Sequence, residues 1–167
     1  MTLRSSGEAL ARFLADPCHG GVYRLTSSQA QVLGPPEGLC WHCLPVPRRW
    51  NRETLLDALA ASLAFPAHFG RNWDAAWDCL TELDWQACGG RVILVPAAPA
   101  DGAAMATFLA LMNDACAHWA DWGKTLAVLL VETGDGVWHD GGNDNGKMPA
   151  WLAAVPHLPP TALGKTG

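Results

Sequence analysis

Apolar and polar residues recur with two different periods along the chain, and the change of period outlines its elements. Apolar residues three or four apart predict helices, and short runs rich in branched apolar residues predict strands. Helical patterns begin near residues 9, 51, 72 and 99, and strand patterns lie at 22–25, 39–46, 91–96 and 125–131. From residue 39 onward, strands alternate with helices. This order predicts an α/β fold with a three-stranded parallel sheet packed with helices.

The two ends of the chain differ from this central region. Residues 1–38 contain a short helical pattern and one strand pattern, and they end in the Gly/Pro cluster at 34–38, which is typical of a turn or linker. Residues 133–167 are rich in Gly, Asp and Asn, with one short helical pattern at 149–155. We therefore predict an N-terminal extension at 1–38, a central domain at 39–132 and a C-terminal tail at 133–167.

The helical pattern at 72–83 has two stripes of different character. One is apolar and predicts a contact with the core: Trp73, Ala76, Leu80 and Leu83. The other combines two carboxylates with an indole: Asp74, Trp77, Asp78 and Thr81. Like charges one helical turn apart destabilise an isolated helix by roughly 0.2–0.5 kcal/mol per pair, so folding does not explain this stripe. A solvated surface would explain the aspartates alone, but an indole among them favours a binding face.

Charge and composition restrict the partner and the compartment. The net charge of −5 argues against nucleic acid or an anionic membrane as the partner and permits a basic protein. Glu8, Arg12 and Asp16 interrupt the apolar patches where a signal peptide would be continuous, and no apolar run approaches the roughly 18 residues of a membrane span. We expect a cytoplasmic protein, and in that compartment six free thiols rather than disulfides.

Catalytic and metal-binding patterns are weaker in this sequence. Cys40 and Cys43 have the spacing of a redox motif, but a strand would turn the two thiols to opposite faces, so we expect buried structural cysteines. Asp114 and His118 are one helical turn apart and make only half a metal site. The GGNDNGK run at 141–147 lacks the Ser or Thr of a phosphate loop. We predict no metal, no cofactor and no enzymatic activity.

The run from Phe69 to Thr81 (FGRNWDAAWDCLT), preceded by LAFP at 63–66, closely resembles the signature of the barstar family. Members of this family are intracellular inhibitors of the bacterial ribonuclease barnase. A weaker resemblance extends over residues 39–132, where the order of elements is that of the barstar fold. The resemblance implies that the helix and the loop before it plug a ribonuclease active site, with carboxylates in place of RNA phosphates.

The resemblance, transferred position by position, implies a role in the contact with the ribonuclease for each residue of the stripe. Asp78 is the central anion, Asp74 its neighbour, Trp77 an apolar contact and Thr81 a hydrogen-bond partner. The loop adds three further partner-binding candidates: His68, Gly70 and Asn72. His68 stands where the family has a larger loop aromatic. The family's additional glutamate on the last helix falls near His118, with Asp114 one turn earlier. These departures imply a different cognate ribonuclease or a reduced affinity for barnase.

The expected function is therefore that of an immunity protein, monomeric when free, that blocks a basic barnase-like ribonuclease. A second hypothesis keeps the fold and changes the partner. About 70 residues lie outside the resemblance, and they could dock a non-ribonuclease toxin or a regulator. An enzyme acting through Cys40 and Cys43 or through the two aspartates is the third class, and assays for disulfide reductase and hydrolase activity separate it from the others.

Overall fold

The computed structural model describes residues 2–33, 38–85, 88–132 and 150–163, and the centre of this part is a four-stranded sheet. The strands, in chain order, are β1 (Gly21–Thr26), β2 (Cys40–Cys43), β3 (Arg91–Val95) and β4 (Leu126–Glu132). They lie in the order β1-β4-β3-β2, and every neighbouring pair is parallel. The predicted α/β class with a parallel sheet is confirmed.

In the described part of the chain, six α-helices surround the sheet, and several begin where the sequence supplies a cap. They are α1 (Thr2–Phe13), α2 (Ser27–Val32), α3 (Arg52–Ser62), α4 (Trp73–Leu80), α5 (Gly102–Asp121) and α6 (Ala150–Ala153). The Asn51 side chain accepts from the amide of Thr54 at 2.9 Å, and Asn72 accepts from the amide of Ala75 at 2.7 Å. Each of these caps satisfies an amide that the first turn leaves without a helical partner. None of the helices within the described ranges combines the length and the apolar character that crossing a membrane requires.

The prediction of three strands is wrong by one, because β1 joins the sheet from the N-terminal segment. Val22 lies opposite Val128, and the Arg24 guanidinium pairs with the Glu132 carboxylate at 2.8 Å. The reason lies in β4, where residues 126–130 are completely buried. A strand buried on both faces is most stable with hydrogen-bonded neighbours on both edges, and β1 supplies the second neighbour.

Helices cover both faces of the sheet. One face packs against α3, α4 and α5 around Ile93, Val128 and Phe108, which are fully buried. The other face packs against α1 and the short turn Pro160–Leu163, with Leu10 and Leu129 fully buried between them. The helix α4 that carries the acidic stripe therefore packs beside α3 and α5 on one side of the sheet, while α1 and Pro160–Leu163 cover the other side.

The prediction of six free thiols is also wrong, and so is the prediction that Cys43 is buried. Cys40 at the start of β2 forms a disulfide with Cys88, which precedes β3, across a sequence separation of 48 residues. Pairing of β2 with β3 brings these residues together, and a separation that long leaves no local pattern in the sequence. Cys18 and Cys43 are exposed free thiols, while Cys116 is buried, which raises its pKa to about 12.

Candidate functional site

The two stripes predicted for α4 differ in exposure as their chemistry requires. Ala76 and Leu80 are completely buried, whereas Asp74 and Asp78 are exposed. Trp77 is half-buried, so part of its indole packs against the core and part remains at the surface. Two carboxylates one helical turn apart, about 6 Å along the axis, thus lie on the exposed side of α4.

The helix α4 ends earlier than the pattern predicts. It runs from Trp73 to Leu80 rather than to residue 83, and Thr81 is its C-cap. The Thr81 hydroxyl donates to the carbonyls of Trp77 at 3.1 Å and Asp78 at 3.0 Å, and the Thr81 amide also donates to the Trp77 carbonyl at 3.0 Å. Leu83 consequently lies beyond the helix, where it still packs against the core. The Thr81 oxygen keeps its lone pairs as acceptors toward a partner.

The loop before α4 is held from both ends. His68 and Gly70 are exposed, and the Asn72 side-chain amide donates to the Gly70 carbonyl at 3.3 Å. Arg71 has a left-handed backbone, with φ of 52°, and its guanidinium pairs with Asp57 of α3 at 2.7 Å. The Arg52 side chain also donates to the Arg71 carbonyl at 3.2 Å. These contacts fix the backbone that presents His68, Gly70 and Asn72 beside the acidic stripe.

An aromatic cluster joins α4 to α5. The His118 and Trp77 rings pack in a T-shaped arrangement with centres 5.9 Å apart, and the centres of the His118 and Trp119 rings are 5.1 Å apart. Trp119 in turn donates from Nε1 to the Leu80 carbonyl at 2.7 Å and contacts Trp85 at 5.2 Å. His118 therefore lies next to the candidate face, and its neighbour Trp119 fixes the last turn of α4 against α5.

One exposed aromatic beside this cluster was missed by our sequence analysis. Trp122, the C-cap of α5, is 69% exposed and follows His118 by one helical turn, so the two share a face of the helix. The signal was available in the sequence, because Asp114, His118 and Trp122 recur at intervals of four residues. Asp114 is also exposed. The contact between His118 and Trp77 places this face of α5 next to the stripe of α4 that carries the aspartates.

A polar network supports the segment that leaves α4. The Arg91 guanidinium donates from Nη1 to Nε2 of His42 at 2.9 Å and from Nη2 to the Asp84 carbonyl. Because a guanidinium only donates, Nε2 of His42 accepts, and the ring proton lies on Nδ1, which donates to the Ser62 carbonyl at 3.0 Å. The network ties β2 and β3 to the end of α3 and to the chain after α4.

This network predicts that acid destabilises the fold. Burial, reinforced by the Arg91 charge, lowers the pKa of His42 below its ordinary value, against the opposing effect of the Ser62 hydrogen bond. The unfolded chain then binds a proton that the folded chain resists, so the stabilisation is complete above about pH 6.5 and is lost as the pH falls toward the lowered pKa. Urea unfolding between pH 5 and 8 measures this loss.

The matched variant for this prediction is His42→Gln, whose amide can donate to Ser62 and accept from Arg91 without titrating. We expect the slope of unfolding free energy against pH to flatten in this variant between the lowered pKa and about pH 6.5. Equal slopes in the two proteins would show that His42 does not carry the effect.

Comparison with known proteins agrees with this geometry. The family model described as "Barstar (barnase inhibitor)" matches residues 46–131, just over half of the chain. The chain belongs to the barstar family. The Bacillus subtilis (strain 168) protein named "Putative ribonuclease inhibitor YrdF" is 58% identical over 31 residues, which are 19% of this chain and 34% of that protein. The matched stretch thus spans about a third of the relative's length.

The barstar match includes every residue that the sequence analysis assigned to partner binding. Four of them lie on α4 or at its end, and three lie in the loop before it: Asp74, Trp77, Asp78 and Thr81, then His68, Gly70 and Asn72. Among the described residues, His, Cys, Asp and Glu side chains do not gather in groups of three or more that could hold a metal. The surface offers exposed carboxylates beside an indole, which suits recognition of cationic side chains.

Proposed function

We propose that this barstar-family protein binds a basic, barnase-like ribonuclease in the cytoplasm and blocks its active site with α4 and the preceding loop. The observation that carries the proposal is the division of α4 into a buried stripe and an exposed one that bears Asp74 and Asp78. Folding stability does not require this pair, because like charges one turn apart repel each other. A basic partner supplies the compensating charge.

Asp78 is the central anion in this proposal. It lies in the middle of the exposed stripe, with Asp74 one turn before it and Thr81 one turn after it. A ribonuclease active site holds cationic side chains that bind RNA phosphates, and two carboxylates on a rigid helix can occupy the same positions without offering a bond to cleave. Trp77, anchored by its contact with His118, adds apolar area beside the charges.

The loop completes the proposed contact. Gly70 has no side chain to hold the partner away, and Asn72 caps α4 while fixing the Gly70 carbonyl. His68 is exposed on the same loop and presents a ring that can stack on the enzyme. The Arg71–Asp57 ion pair holds the positive charge of the loop beside α3 and next to a carboxylate. The charge of Arg71 therefore repels a basic partner less.

Isothermal titration against a panel of small microbial ribonucleases tests the proposal, with inhibition of RNA cleavage as the second readout. We expect at least one ribonuclease to bind with one-to-one stoichiometry and to lose activity. Affinity should weaken as salt is added, because charge attraction accelerates the encounter. If no ribonuclease binds, and affinity capture from the native host instead yields a partner without nuclease activity, the alternative of a barstar-fold module for another target replaces this proposal.

Trp122 provides an independent prediction about the extent of the contact. Since its indole is 69% exposed, Trp122→Ala should change the free energy of unfolding by less than about 0.5 kcal/mol. If α5 continues the binding face, the same variant should weaken ribonuclease binding by roughly 5- to 30-fold, because exposed indoles that become buried at an interface are frequent hot spots.

Val46→Ala is the control for Trp122, because Val46 is also a large apolar residue at the surface, 68% exposed, and it follows β2 rather than α5. Titration calorimetry with both variants compares the two surfaces. Equal affinities for Trp122→Ala and the unaltered protein would limit the contact to α4, its loop and His118.

A further inference from the structure

The disulfide between Cys40 and Cys88 joins two segments that the backbone already holds together. The Cys40 amide donates to the Gly90 carbonyl at 2.8 Å, and the Gly89 amide donates to the Gly38 carbonyl at 2.9 Å. A Cβ atom on Gly90 would lie 2.9 Å from a methyl carbon of Leu39, so the absence of a side chain permits this approach. The two sulfurs therefore remain neighbours whether or not they are bonded.

The two cysteines differ in their access to solvent. Cys40 is partly exposed on the edge strand β2, whereas Cys88 is 8% exposed. A small thiolate can approach Cys40 from solvent, while Cys88 is sheltered. The free thiol of Cys43 is three residues along the same strand, so its side chain points to the opposite face from that of Cys40 and does not compete for it.

The covalent loop that the bond closes includes the part of the candidate site on α4 and in the loop before it. The two cysteines are separated by 48 positions in the sequence, and the chain between them contains α3, the loop before α4, and α4 itself. It closes beside the segment that leaves α4, where Trp85 contacts Trp119, and beside Arg91, which holds the Asp84 carbonyl. Opening the bond removes a covalent link between the start of β2 and the chain that returns from α4 to β3.

We propose that Cys40 and Cys88 form a reversible redox site that responds to low-molecular-weight thiols and disulfides while the protein stays folded. In the reducing direction, a small thiolate attacks the Cys40 sulfur, the Cys40–Cys88 bond breaks, and Cys88 leaves as a thiolate that takes a proton. A second small thiolate then displaces Cys40 from the mixed disulfide. Two electrons pass from the two small thiolates to the protein, so the small molecule becomes a disulfide and the protein becomes a dithiol once Cys40 takes a proton.

The reverse reaction uses a small disulfide as the oxidant and returns two small thiols. Because the cross-link restricts the unfolded chain over a long loop, the dithiol form should be less stable than the disulfide form. The redox state would therefore set the stability of the unit that carries α4, independently of which partner α4 binds.

The test uses the full chain equilibrated with mixtures of reduced and oxidised glutathione. After acid quenching, alkylation of thiols in denaturant and intact-mass measurement count the free cysteines. We expect four labelled cysteines in the oxidised protein and six in the reduced protein, because the remaining four are free thiols. The change should be reversible, with near-ultraviolet circular dichroism showing that the chain stays folded throughout. Reduction should lower the melting temperature by roughly 5–15 °C for a chain of this size.

Two variants complete the test. Cys43→Ser removes an exposed thiol from the same strand and should retain the full redox-dependent shift in melting temperature. Cys88→Ser should abolish the shift in melting temperature. If this variant fails to fold, the count of labelled cysteines in the unaltered protein at each glutathione ratio still tests the proposal. Six labelled cysteines under oxidising conditions, or a bond that opens only when the protein unfolds, would overturn the proposal.

Discussion

Replacing Asp78 with alanine should weaken ribonuclease binding by roughly 30-fold to several thousand-fold, which corresponds to the 2–5 kcal/mol that follows removal of one partner from a desolvated charge pair. The loss arises because the cationic group of the enzyme stays buried in the contact without its counter-charge. Most of it should appear as faster dissociation, measured by stopped-flow mixing or surface plasmon resonance. Stability should hardly change, since Asp78 is exposed and its removal relieves repulsion from Asp74.

Two further variants test whether the effect of Asp78→Ala comes from the charge at that position rather than from the size of the side chain or the net charge of the protein. Asp78→Asn keeps the size of the side chain and should lose most of the same affinity if charge is responsible. Glu8→Ala removes one exposed carboxylate from α1, which packs on the opposite face of the sheet, and should leave affinity within about twofold because distant surface charges are screened. Binding by Asp78→Ala that equals binding by Glu8→Ala would refute an anionic centre at Asp78.

The local elements could be predicted from the sequence because their signals are local. Asn51 and Asn72 cap the helices that their positions indicate, and the uniformly apolar run at 126–130 is buried on both faces. Alternate burial along α4 follows from residue spacing alone. The placement of both carboxylates at the surface was therefore predictable, and so was the core role of Ala76 and Leu80.

Errors arose where distant segments meet. Nothing near Val22 indicates that β1 pairs with β4, which lies more than a hundred residues later. The Cys40–Cys88 bond depends on the pairing of β2 with β3, and it could not be read from either cysteine. The helix α4 also ends earlier than its pattern predicts: Thr81, whose hydroxyl donates to the Trp77 and Asp78 carbonyls, is its C-cap.

The aromatic cluster shows why the site itself was only partly predictable. The spacing on α5 places His118 and Trp122 on one face, but only the packing of α4 against α5 brings His118 to Trp77. Trp119, the next residue, points to Leu80 and Trp85 instead. The two adjacent residues thus have different roles: His118 lies beside the candidate binding face, and Trp119 holds α4 against α5.

The buried stripe of α4 should show the opposite response to mutation. Leu80→Ala should lower the free energy of unfolding by roughly 2–5 kcal/mol, because Leu80 is completely buried and its truncation leaves a cavity beneath the helix end. Its carbonyl remains to accept from Trp119 Nε1, so the loss reflects side-chain packing. Urea unfolding followed by tryptophan fluorescence measures the change, and the midpoint should fall with little change in slope.

Leu83→Ala is the matched control, since it deletes the same atoms from a half-buried side chain beyond the end of α4 and should cost clearly less than Leu80→Ala. Under conditions where each variant is folded, both should bind the ribonuclease nearly as well as the unaltered protein. Equal stability losses for the two variants, or a binding loss for Leu80→Ala as large as that for Asp78→Ala, would contradict the separation of the stripes. If mutation of the buried stripe changes only stability and mutation of the exposed stripe changes only binding, the aspartates do not contribute to folding. Their presence on α4 is then explained by the partner.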